Sequence, residues 1–109
     1  MQQTIQSILN QYRHFKGGTI DAVYQEGDDS IIVEILPEET EHKVLFRFEE
    51  IQETRVLTAS VLSLMDMSQG ICVVEEYGLY GFALGEAETM LHVHNAPMYI
   101  IAKRLDIVP

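Results

Sequence analysis

The chain has 109 residues, 47% of them hydrophobic and 22% charged, which suits one globular domain and excludes disorder, a state needing low hydrophobicity with high net charge. Seven Lys and Arg face seventeen Asp and Glu, a formal net charge of −10, so nucleic acid and anionic membrane surfaces are disfavoured as partners and a basic protein or a cation is favoured. Cys72 is the single cysteine, no intramolecular disulfide can form, and a reducing, cytoplasmic setting is expected.

The opening residues lack a positive n-region and a continuous apolar stretch, so no signal peptide is read there, and no apolar run approaches the roughly 20 residues of a membrane span. Ile5, Ile8, Leu9, Tyr12 and Phe15 recur at helical spacing. Arg13, His14 and Lys16 fall in the last turn of that predicted amphipathic helix, where positive charge suits the dipole, and Gly17-Gly18 stops it.

From Thr19 the period becomes two, predicting a strand to Gln25 with Ile20, Ala22 and Tyr24 on one face. Glu26 to Ser30 reads as a turn, Ile31 to Leu36 as a second strand ended by Pro37, and Lys43 to Ile51 as a third, with Val44, Phe46 and Phe48 on one face. Three strands joined by short turns form a β-meander, whose successive turns lie at opposite ends. Asp28 and Asp29 are therefore expected apart from Glu38, Glu39 and Glu41, which weighs against one calcium site.

A short helix is expected from about Ala59 to Gln69, although Arg55 to Ala59 would also extend a strand. Strands follow at Ile71–Tyr77, Leu79–Leu84, Thr89–His94 and Met98–Ile107, punctuated by Gly78, Gly81, Gly85 and the Asn95-Ala96-Pro97 turn. The fold class is α+β: one domain, mainly an antiparallel sheet, with an N-terminal amphipathic helix and one further short helix packed on it.

His92-Val93-His94 is the sharpest local feature. On a strand, residues two apart project from the same face about 6–7 Å apart, so both imidazoles would reach one divalent transition metal. A metal site needs further ligands, and His14, His42, Cys72, Asp66, Glu86 and Glu88 are the candidates. The motif resembles that of the cupins, but the glutamate they carry shortly after it is missing from Asn95-Ala96-Pro97-Met98-Tyr99. It also resembles that of the histidine-triad nucleotide hydrolases, but the further alternate position is Ala96.

Other chemistry is less developed. The glycines between Tyr77 and Gly85 are followed by Glu86 and Glu88, which repel phosphate, so they read as bends or a tight turn. Cys72 lies in an apolar strand and reads as a buried hydrophobe. Glu49-Glu50 and Glu75-Glu76 are adjacent pairs and point to opposite faces of a strand. Tyr80 and Phe82 suit an interface, and core packing also accounts for them.

Lys43 to Ile51 and Met98 to Ile107 resemble the strand pattern of small bacterial proteins, some similar to immunity proteins that neutralise polymorphic toxins, often as acidic partners of basic nucleases. Two readings follow. The first is a non-catalytic, cofactor-free protein-binding module that presents Asp28, Asp29, Glu38, Glu39, Glu41, Tyr80 and Phe82 to a basic protein. The second is a metal-binding protein or metal-dependent enzyme centred on His92 and His94. Self-association through an edge strand or an apolar face is a third arrangement.

Overall fold

The computed structural model describes residues 4–38, 41–55 and 67–108. Thr4 opens helix α1 (Ile5–Gln11) by accepting a hydrogen bond from the Ser7 amide at 3.0 Å. The helix stops earlier than its apolar spacing predicts. Arg13, His14 and Phe15 take φ values of 54, 55 and 59°, a left-handed turn that costs about 1–2 kcal/mol per residue. What compensates is Phe15, fully buried, its ring stacked on Tyr12 at 5.2 Å and edge-on to Phe46 at 5.5 Å. Arg13 and His14 therefore lie beyond α1, not in its last turn as the pattern suggested.

Among the described residues six antiparallel strands follow: β1 (Thr19–Gln25), β2 (Ser30–Leu36), β3 (Val44–Arg55), β4 (Ile71–Glu76), β5 (Leu79–Leu84) and β6 (Tyr99–Val108). They form one sheet in the order β1-β2-β3-β6-β5-β4. The expected meander is present in β1 to β3, with Val33 opposite Val23 and Phe46 opposite Val33. The last strand, β6, enters between β3 and β5 and pairs with both.

One feature of β1 departs from the predicted alternation. Ile20 faces Ile35, but the next pair is Ala22 with Glu34, so Asp21 is bulged out and the strand changes face. Val23 consequently joins the main core, and Tyr24 is 43% exposed. A similar slip in β3 lies between Ile51 and Glu53, next to Glu50 at φ 56°.

The main core lies on the α1 face. Phe46, Phe48 and Phe82 meet there, with ring centroids of Phe82 at 5.5 and 5.3 Å from the other two. A second, smaller core on Cys72, Val74, Ala83, Tyr99 and Ile101 also includes Val93 and Ala96. Its cover is a short helix, α2 (Met90–His94), where the period-two pattern predicted a strand. The correction has a local cause: the Thr89 hydroxyl accepts from the His92 amide at 3.3 Å, and the Glu76 carboxylate accepts from the Met90 amide at 2.8 Å. The apolar pair that matters is Met90 and Val93, three apart, seated over Gly81.

Gly81 has a specific reason to be glycine: a β-carbon there would stand 2.7 Å from Met90 Sδ and 3.2 Å from both γ-carbons of Val93. Gly78 instead completes a tight turn with Tyr77, both at positive φ (74 and 53°). The predicted helix at 59–69 falls largely outside the described residues; its last positions form a turn closed by the Gly70 amide on the Met67 carbonyl at 2.9 Å. Among the described residues, no helix is long and apolar enough to cross a membrane.

Candidate functional site

The acidic residues divide as the meander requires. Asp28 and Asp29 sit exposed in the β1–β2 turn, and Glu38 and Glu41 sit exposed in the β2–β3 connection at the other end of the seven-residue β2, about 20 Å away at ~3.3 Å per residue. Glu39 lies outside the described residues. The β1–β2 turn is firmly held: Gln25 donates its side-chain amide to the Asp28 carbonyl at 3.1 Å, and the Ile51 amide donates to the Asp29 carbonyl at 3.2 Å. Asp28 and Asp29 are exposed and line a hollow of about 300 Å³. Glu38 lies against Gly17, whose missing side chain makes the space.

These four carboxylates form no ion pair with a described residue, whereas several cations are engaged inside the sheet. Lys43 bridges Asp21 at 2.7 Å and Glu34 at 3.3 Å, and hydrogen bonding to Asp21 and Glu34 holds its ammonium above the usual lysine range. Arg47 pairs with Glu26 at 3.5 Å and Arg104 with Glu50 at 3.0 Å. The described cations thus pair with Asp21, Glu26, Glu34 and Glu50 and leave the carboxylates of Asp28, Asp29, Glu38 and Glu41 without a cation among the described residues.

The two aromatic candidates are not the exposed ones. Phe82 is fully buried among Phe46 and Phe48 and cannot meet a partner without unfolding. Tyr80 is half-buried and packs against the same core. The exposed aromatic of this hairpin is Tyr77, 96% accessible at its tip, and Leu91 on α2 is 70% accessible. The Tyr77-Gly78 step was the available signal, since residues at a two-residue hairpin tip pack on neither face.

His92 and His94 do not share a face. In a helix, residues two apart are separated by about 200° around the axis, so the geometric premise for joint metal binding, which rested on a strand, does not hold. His94 turns to the sheet: its Nδ1 lies 3.3 Å from Glu53 Oε2, and its ring meets Tyr99 edge-on at 5.4 Å. The Tyr99 hydroxyl donates to Glu53 Oε1 at 3.1 Å, and the Arg55 guanidinium lies 5.8 Å from the Tyr99 ring centre. Burial, then the hydrogen bond to Glu53, keeps the Tyr99 phenol above its usual range. The exposed side chain of His92 takes no part in this network.

Several residues considered as companions of that pair converge elsewhere. His14, Lys16, Ile71, Cys72, Glu86 and Glu88 line a half-open hollow of about 260 Å³ between the left-handed turn, the start of β4 and the loop after β5. Among the described residues, no three His, Cys, Asp or Glu side chains come together closely enough to hold a metal ion. The Cys72 thiol faces the Ala83 carbonyl at 3.8 Å, and burial pushes its pKa up, so it stays protonated and unreactive at neutral pH.

Comparison of the chain with protein-family models, curated proteins and solved structures gave no match.

Proposed function

We propose that this chain is a non-catalytic protein-binding module, similar in kind to an immunity protein, that captures a basic protein partner through its acidic loops. The observation that carries the reading is the unmatched charge at the strand ends: Asp28, Asp29, Glu38 and Glu41 are exposed and form no ion pair with a described residue. In a chain of net charge −10, such carboxylates steer a basic surface into encounter and raise the association rate more than they raise affinity. Tyr77, exposed at the β4–β5 tip, supplies the kind of rigid aromatic that anchors interfaces.

Because the two acidic loops lie at opposite ends of β2, they are separable in experiment. The Asp28→Lys/Asp29→Lys and Glu38→Lys/Glu41→Lys variants each reverse one end. The partner-facing pair slows association and flattens its salt dependence, while the other pair changes either quantity much less. Equal rates and salt slopes in both variants and the parent would remove the acidic loops from the function.

A further inference from the structure

We infer that the hollow formed by the Arg13–Lys16 turn, the start of β4 and the Glu86–Glu88 loop binds a small zwitterion of amino-acid size, its ammonium against Glu86 and Glu88 and its carboxylate against Lys16. Three observations converge on it. The first is charge: Lys16 lines one wall and the two glutamates line another, and none of the three forms an ion pair with any described residue. A ligand of one sign satisfies only one wall, whereas a ligand carrying both signs satisfies the two together.

The second is size. At about 260 Å³ the hollow is below the roughly 300–1,000 Å³ of pockets that take drug-sized molecules, and Ile71 with the protonated Cys72 gives it a neutral, partly apolar lining.

The third is construction. The walls come from three separate segments tied by backbone hydrogen bonds: the Gly17 amide donates to the Met67 carbonyl at 2.8 Å, and the Gly85 amide donates to the Gly70 carbonyl at 2.8 Å. Gly70, at φ 71°, lies directly under the His14 carbonyl, where any side chain would collide, and the Lys16 stem runs across it. The left-handed turn that places His14 and Lys16 is costly backbone held in place by the burial of Phe15. Backbone tied in this way spares a ligand the entropy of bringing the three segments together, leaving the exposed Lys16, Glu86 and Glu88 side chains to be ordered on binding.

The test is an amide-shift NMR titration of the full chain with three probes of graded length, glycine, β-alanine and γ-aminobutyrate, against propylamine and propionate as single-charge controls. At least one zwitterion is expected to give saturating shifts at Gly17, Gly70, Cys72 and Ala87, with an apparent affinity about tenfold or more above either control. Lys16→Gln and Glu86→Gln/Glu88→Gln should each reduce that zwitterion to the level of the controls, with the rest of the spectrum unchanged. Non-saturating shifts for all three zwitterions, or propylamine binding as tightly as the best of them, or an unchanged affinity in Lys16→Gln, overturns the inference. The partner-binding proposal does not depend on this result, since its variants lie in other loops.

Discussion

Replacing Gly81 by alanine should loosen α2 on the sheet, and Val93 should determine by how much. The added β-carbon would sit 2.7 Å from Met90 Sδ and 3.2 Å from the two γ-carbons of Val93. Met90 has a flexible thioether that can swing aside, but Val93 is fully buried, β-branched and fixed by helical backbone on both sides. Overpacking of a filled core costs about 1–3 kcal/mol, and the lower unfolded-state entropy of alanine returns about 0.4–1 kcal/mol. A net loss of about 1–2 kcal/mol is expected from urea unfolding. Val93→Ala alone removes buried methyls and also destabilises. In the double variant the contact with Val93 is gone and only the movable Met90 thioether is left to give way, so the two losses should fall short of additivity by about 0.5 kcal/mol or more, within the range of contacting residues. Strict additivity in this cycle, or a Gly81→Ala protein as stable as the parent, would refute the packing argument for α2.

Two further outcomes follow from burial. Phe82→Ala should cost about 3–5 kcal/mol, because it empties the centre of the aromatic cluster, whereas Tyr77→Ala at the exposed hairpin tip should change stability by about 0.5 kcal/mol or less; chemical denaturation compares the two directly. The Cys72 thiol titrates higher in the folded chain than in the unfolded one, so its contribution to stability is complete below the unfolded thiol's range and is lost as pH rises through the folded value. The urea midpoint should therefore fall as pH rises above the ordinary thiol range of about 8.5, Cys72→Ala should remove part of that fall, and a thiol reagent should label the native protein far more slowly than the urea-unfolded one. An identical pH profile in Cys72→Ala, or equal labelling rates, would contradict this.

Where local pattern and tertiary packing agree, the sequence is informative about structure. The Ile5, Ile8, Leu9 spacing marks α1, and the Ile31–Leu36 run ended by Pro37, with the alternation of Val44, Phe46 and Phe48, marks the meander and the separation of its acidic turns. The misleading segments are those in which a distant group sets the conformation. Thr89 to His94 alternates like a strand, yet its helix depends on the Glu76 carboxylate from the neighbouring hairpin and on the absence of a side chain at Gly81. No periodicity within six residues can report either. The bulge at Asp21 likewise reverses the faces of Val23 and Tyr24 without any local glycine or proline to mark it. Phe82 was ambiguous because an aromatic flanked by small residues suits both core and interface, and only its contacts with Phe46 and Phe48 decide for the core. The hollow around His14 and Glu86 was not legible at all, since its walls are some seventy residues apart in the chain and meet through backbone hydrogen bonds.

The most direct test of the central claim is the association of the chain with its partner, captured from the source cell's lysate on immobilised parent protein and on the two charge-reversed variants, washed at low and high salt. The account predicts a basic protein retained by the parent at low salt, released as salt rises, and lost from one of the two variants. Equal retention on all three surfaces, independent of salt, or no partner on any of them, would contradict it.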